Sequence, residues 1–240
     1  MPNVIITGSG RRIGRALALR FAEKGWGVGV HYNASLEMAK KTIAEVEEHG
    51  VLAVSAQADL RDGNALRRAY ETYFDRFGSI DVLVNNAGVY PKPTSLSEIT
   101  DEIWDDTLEV NLKAQLTSCK IFAELTGSSP ARIINFASLG AFEIWRGRIP
   151  YNVSKTAALR LSEALARELA PRISVNCVSP GVIYIPDEPA SEPLRIRPET
   201  IPAQRYGSTD DIFEATYFFA TATQYVTGQN LKVDGGLNLI

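Results

Sequence analysis

Val4-Ile5-Ile6-Thr7-Gly8-Ser9-Gly10-Arg11-Arg12-Ile13-Gly14, near the start of the chain, runs from a short β-branched stretch into a glycine-rich turn. Behind it Ile13, Leu17 and Phe21 recur at helical spacing until Gly25 stops the helix. Strand, turn and helix make the first half of a βαβ unit, and the pattern continues along the chain. Strands are predicted at 26–32, 52–57, 81–84, 132–136, 174–178 and 230–233. Helices are predicted at 36–49, 64–77, 100–125, 151–169 and 210–222. Short apolar strands alternating with helices imply a parallel sheet covered on both faces. Right-handed crossovers make that sheet doubly wound, with ligands at the carboxyl ends of its strands. The 240 residues suit one such α/β domain rather than two.

Composition narrows the function. Apolar residues make up 45% and charged residues 22% of the chain, which is ordinary for a folded domain and argues against disorder. A net charge of −3 gives no broad attraction to nucleic acid or to an anionic membrane. No apolar stretch approaches the length of a membrane span, and the first residues lack the pattern of a secretory signal. A soluble, cytoplasmic protein acting on a small molecule is expected. Cys119 and Cys177 sit among apolar neighbours, which favours buried free thiols over a disulfide. The stretch 182–202 holds Pro186, Pro189, Pro193, Pro198 and Pro202, so a continuous helix is not expected there. Its place after a strand end favours a substrate lid over an idle surface excursion.

The turn is also where a family resemblance begins. It resembles the TGxxxGxG element of short-chain dehydrogenases/reductases, with Arg12 in place of the middle glycine. Similar blocks follow in the right order: Asp59-Leu60, Asn85-Asn86-Ala87-Gly88, Tyr151-x-x-x-Lys155, Pro180-Gly181 and Val233-Asp234-Gly235-Gly236. Each alone is a weak signal; together they span nearly the whole chain. The resemblance implies a Rossmann-type fold, a nicotinamide cofactor without a metal, and a homodimer or homotetramer. The helices at 100–125 and 151–169 resemble that family's assembly faces.

Cofactor contacts are expected from Gly8, Ser9, Gly10, Arg11, Arg12, Ile13 and Gly14 around the pyrophosphate. Asn86, Ala87 and Gly88 would pass close to the ribose units, and Pro180, Gly181, Val182 and Ile183 line the far side. Asp59 and Leu60 would contact the adenine, unless Asp59 is a helix N-cap. An NAD-preferring site commonly carries a carboxylate after the second strand. Here that place reads His31-Tyr32-Asn33-Ala34-Ser35. Arg12 facing the same ribose can pair bidentately with a 2′-phosphate, and His31, Asn33 and Ser35 can add donors. This points to NADPH, with a solvated helix-start charge as the bland reading of Arg12.

Tyr151 and Lys155 lie one helical turn apart and so share a face. A nearby ammonium favours the phenolate and eases proton exchange from a group whose free pKa is about 10. The alternative is a buried aromatic beside a solvated lysine. By resemblance, Ser138 binds the substrate carbonyl, and Asn111 distorts its helix to hold a water that relays protons to Lys155. A turn serine and an interior hydrogen bond are their structural alternatives. All four positions carry the family's residue types, which implies an enzyme rather than a nucleotide-sensing regulator.

Substrate contacts are expected from Tyr90, Ser138, Trp145 and Tyr151, with Tyr90 able to stack a flat ring. Arg12, His31, Tyr90, the segment Trp145-x-Gly147-x-x-Pro150-Tyr151 and the end Lys232 to Leu237 resemble pteridine reductases. Gly88 and Ser138 depart from that pattern, where serine and an aspartate can stand. Ser138 suits a ketone better, as in the related 3-oxoacyl-carrier-protein reductases.

Overall fold

A computed structural model describes residues 1–186 and 196–239. Its strands are β1 (Asn3–Ile6), β2 (Gly27–Tyr32), β3 (Ala53–Gln57), β4 (Val82–Asn85), β5 (Ala131–Phe136), β6 (Ile173–Pro180) and β7 (Asn230–Val233). The helices are α1 (Arg12–Glu23), α2 (Leu36–Glu47), α3 (Gly63–Phe77), α4 (Asp101–Leu108), α5 (Ala114–Leu125), α6 (Ile149–Leu169) and α7 (Thr209–Thr221). All strands pair in parallel in one seven-stranded sheet, ordered β3-β2-β1-β4-β5-β6-β7. The Rossmann-type doubly wound sheet expected from the alternation is therefore present.

The period of two in β1 builds both layers. Val4 and Ile6 face a core with Leu17 and Phe21 of α1 and Phe213 of α7. Ile5 points the other way, onto Leu66, Tyr70 and Tyr73 of α3 and Phe122 of α5. Each such side chain contributes about 1.5–3 kcal/mol by leaving water. Because both faces need apolar groups, β1 carries the apolar run Val4-Ile5-Ile6 after Asn3, with all four residues buried. The chain leaves β1 towards β2 and β3, then returns to add β4 on its other side. That reversal opens a crevice at the carboxyl ends of β1 and β4.

Two local features bear on the sequence expectations. The helix expected over 100–125 is distorted at Asn111, as the resemblance implied, by a π-helical turn at Glu109–Lys113 between α4 and α5. Buried Asn111 sits in that turn and spends its amide on the loop after β4, which a regular helix would not present in the same way. The N-cap of α3 is Asp62, whose carboxylate accepts from the Asn64 and Ala65 amides. Asp59 is thus free of a capping role.

Cys119 and Cys177 are buried free thiols. Among the described residues, no helix is long and apolar enough to cross a membrane. Of the lid expected over 182–202, residues 187–195 lie outside the described residues. The described flanks hold a bridge from Ile183 to Gly207 and a short 3₁₀ turn, Pro198–Thr200.

Candidate active site

The glycine turn is shaped by backbone geometry that most side chains resist. Gly8 has φ +66, and Arg12, where the resemblance has glycine, has φ +52. A left-handed arginine stores about 1–2 kcal/mol of backbone strain. A Cβ on Gly14 would overlap the Gly8 carbonyl oxygen and stand 2.6 Å from Asn86 Nδ2. Asn86 Nδ2 donates to the Thr7 carbonyl at 2.9 Å, tying the β4 end to the turn.

His31 and Ser9 hold this turn from beneath. The Gly8 amide donates to His31 Nδ1 at 3.1 Å, and Nε2 meets the Ala58 carbonyl at 3.0 Å. Those partners assign the proton to Nε2. Burial lowers the pKa of His31 to about 4, so the ring is neutral near pH 7. The expectation that His31 offers a donor to the cofactor is corrected: both ring nitrogens are engaged by the protein. Ser9 Oγ donates to the Ile6 carbonyl at 2.8 Å and accepts from the His31 amide at 3.2 Å. Ser9 is fully buried and lies behind the turn rather than on the cleft wall.

The cleft at the strand ends encloses about 700 Å³. Gly8, Gly10, Arg11, Arg12, Ile13 and Gly14 line one end, with His31 and Tyr32 at the end of β2 and Asn33 and Ser35 after it. Asp59, Leu60, Asn86, Ala87 and Gly88 form its floor and side, and Pro180, Gly181, Val182 and Ile183 its far wall. Tyr90, Ser138, Trp145, Tyr151 and Lys155 close the other end. The bare backbone at Gly8, Gly14 and Gly181 fits a pyrophosphate that must approach amide groups closely; a Cβ at Gly181 would come 2.8 Å from Asp234 Cα.

Sequence reasoning missed Arg61 and Asp106 in this lining. Arg61 Nη2 donates to Asp59 Oδ2 at 2.6 Å, Nε to Oδ1 at 3.0 Å, and Nη1 to Asp106 Oδ1 at 2.7 Å. Arg61 holds the Asp59 carboxyl below its usual range. Arg61 lies two residues from Asp59, a hint available in sequence; Asp106 on α4 carries none.

At the reacting end, Ser138 and Tyr151 line the cleft together. Ser138 Oγ accepts from the Gly140 amide at 3.1 Å, which fixes its rotamer at the end of β5. Burial raises the Tyr151 pKa to about 12, against the lowering from Ser138. The expectation that Lys155 depresses it is not met in this arrangement. Lys155 Nζ donates to the Phe136 carbonyl at 3.0 Å and stands 5.9 Å from the Tyr151 ring centroid. Burial lowers its own pKa to about 8.

Asn111 lies beneath this group, fully buried. Its Oδ1 accepts from the Val89 amide at 2.8 Å, and Nδ2 donates to the Val89 carbonyl at 3.0 Å and to Ser154 Oγ at 3.1 Å. The side-chain amide thus holds the loop after β4 against α6. Between Asn111 and Lys155 runs Gly88. A Cβ there would meet Asn111 Oδ1 at 3.0 Å and Lys155 Nζ at 3.4 Å, so the serine of the pteridine-reductase pattern would press on Asn111 and touch Lys155 only at ordinary contact distance.

Comparison with known proteins fits this geometry. Residues 8–238 match the family described as Enoyl-(Acyl carrier protein) reductase. The 3-oxoacyl-[acyl-carrier-protein] reductase FabG of Staphylococcus epidermidis is 34% identical, with 98% of each chain covered. Subunit BbsD of the (2S)-[(R)-hydroxy(phenyl)methyl]succinyl-CoA dehydrogenase of Thauera aromatica is 35% identical over 98% of this chain and 96% of its own. A short chain dehydrogenase from Burkholderia cenocepacia J2315, solved in complex with NADP, superposes with a TM-score of 0.91 at 34% identity. That match covers 99% of this chain and 98% of the other.

Proposed function

The chain belongs to the short-chain dehydrogenase/reductase family, and from that premise we propose that it is an NADPH-dependent carbonyl reductase with Tyr151 as proton donor. The observation that carries this reading is that Ser138, Tyr151 and Lys155 line the same end of the cleft, across from the glycine turn. Two hydroxyls converge there on the place a carbonyl oxygen would occupy. A bound reduced nicotinamide supplies the hydride. Ser138 orients the carbonyl oxygen, and Tyr151 releases its proton to that oxygen as charge develops. Lys155 positions the nicotinamide ribose and replenishes the Tyr151 proton, while Asn111 holds the Val89 loop against α6.

NADPH is favoured by Arg11 and Arg12 on the turn and by the absence of a carboxylate in His31-Tyr32-Asn33-Ala34-Ser35. The relative solved with NADP supports the same choice. A ketone is favoured over a pterin-like C=N substrate. The described carboxylates lining the cleft are Asp59 and Asp106, both paired with Arg61, so neither is placed to protonate a pterin nitrogen beside Ser138. A 3-oxoacyl thioester is the second reading, supported by the identity to reductases of that name. Cytoplasmic residence and homo-oligomerisation through α5 and α6 belong to the same proposal; exposed Leu116, Ile149 and Val153 offer apolar contact there.

Carbonyl-dependent NADPH oxidation across a panel of ketones and 3-oxoacyl thioesters tests this directly. Bound NADPH with no oxidation by any carbonyl would instead indicate a nucleotide-sensing regulator. Arg12→Gly tests the cofactor choice. It relieves the left-handed strain, so stability should rise by about 1 kcal/mol. The preference of kcat/KM for NADPH over NADH should nevertheless fall by about tenfold or more. An unchanged preference would remove Arg12 from phosphate recognition.

A further inference from the structure

Gln115 is a buried amide behind the cleft wall. It is 3% exposed, lies in the first turn of α5 and does not line the cleft. Its Nε2 donates at 3.2 Å to the Phe136 carbonyl, the same oxygen that accepts from Lys155 Nζ at 3.0 Å. That carbonyl sits where the sheet opens. The pairing of β4 with β5 runs no further than Asn85 and Asn135. The Ala137 amide donates to the Val178 carbonyl of β6, so the Phe136 carbonyl, across the same trans peptide, points to the β4 side. By then β4 has turned away, and the Ala87 amide donates to Thr7 Oγ1 at 3.1 Å instead. Lys155 and Gln115 replace the missing strand donor, which a buried carbonyl needs. Gln115 Oε1 is itself buried without a partner among the described residues. On a helix face it shares with Cys119 and Phe122, packing alone would favour leucine over a half-satisfied amide.

Lys155 is drawn two ways. The Phe136 carbonyl holds its ammonium, while the nicotinamide ribose of the proposed NADPH site needs that ammonium in the cleft. Were Lys155 the only donor to the carbonyl, each move towards the ribose would strand a buried oxygen. Gln115 Nε2 removes that cost, because it stays on the carbonyl whichever way Lys155 turns. Resting on the proposed role of Lys155 at the ribose, we propose that Gln115 is a positioning residue: by keeping the Phe136 carbonyl satisfied, it releases Lys155 to bind the nicotinamide ribose. Gln115 acts through that one shared oxygen and touches neither cofactor nor substrate.

Two ligands separate this role from one in packing. NADPH carries the nicotinamide ribose, whereas 2′,5′-ADP carries only the adenosine end. Calorimetric titration of the full-length protein should give a Kd for NADPH about tenfold higher in Gln115→Leu than in wild type, equivalent to about 1.4 kcal/mol. The Kd for 2′,5′-ADP should be unchanged. The denaturation midpoint of the cofactor-free variant should not fall, because leucine removes the unpaired Oε1 and Lys155 still serves the carbonyl. Gln115→Glu keeps the shape, offers the carbonyl no donor and pulls on the ammonium. It should weaken NADPH at least as much as leucine does, again sparing 2′,5′-ADP. If Gln115→Leu does not fold, Gln115→Glu decides by the same two titrations; failure of both to fold would make Gln115 structural and overturn the proposal. An unchanged NADPH Kd in a folded variant, or an equal loss for both ligands, would overturn it while sparing the NADPH site. Wild type binding NADPH no more tightly than 2′,5′-ADP would remove Lys155 from the ribose and overturn both.

Discussion

Tyr151→Phe is expected to lower turnover by about 10³-fold while NADPH still binds. The substitution removes one hydroxyl and leaves the ring. Ring contacts with Tyr90 at 4.7 Å and Trp145 at 6.0 Å survive, so the cleft wall should keep its shape. What disappears is the hydroxyl and the proton it would give. With its pKa near 12, the phenol is protonated at neutral pH, the form that reduction requires. The check is kcat for ketone reduction beside a fluorescence titration with NADPH. Undiminished turnover would assign the proton to another group; lost binding would make the effect structural.

Lys155→Met should abolish useful activity, by about 10²-fold or more, yet make the protein more stable. Lys155 is 4% exposed and carries a pKa lowered by burial from 10.5 to about 8. The unfolded chain therefore holds this proton more tightly than the folded one between pH 8 and 10.5. Stability rises with pH wherever the unfolded state binds more protons. Below pH 8 the ammonium is charged in both states and the full burial penalty is present, on the order of 3 kcal/mol. Methionine removes the charge at similar volume. The Phe136 carbonyl keeps a donor, since Gln115 Nε2 reaches it at 3.2 Å. Denaturant unfolding of the cofactor-free protein at pH 7 should thus place Lys155→Met above wild type, with the gap closing towards pH 10.5. A less stable variant at pH 7 would mean that Lys155 contributes more through its bonds than it loses by desolvation.

The fold was legible because its signals are local and repeated. Apolar runs such as Val4-Ile5-Ile6, glycine stops such as Gly25 and the helical spacing of Ile13, Leu17 and Phe21 needed no tertiary knowledge. The cleft residues were legible through motif order around Tyr151 and Lys155. Other features depend on contacts distant in sequence. His31 reads as a donor beside a phosphate, but its nitrogens serve Gly8 and Ala58, 23 and 27 residues away. The helix distortion at Asn111 followed from the resemblance, but the Val89 loop it holds, 22 residues away, did not. The strain at Arg12 could be suspected only by noticing that glycine normally fills that place.

The most direct test of the central claim follows one atom. NADPH deuterated at C4 on the transferring face, supplied with a ketone that the protein reduces, should yield an alcohol carrying one deuterium on its carbinol carbon. The hydroxyl proton should come from solvent by way of Tyr151. An alcohol without deuterium at carbon, made while the labelled cofactor is consumed, would contradict direct hydride transfer in this cleft.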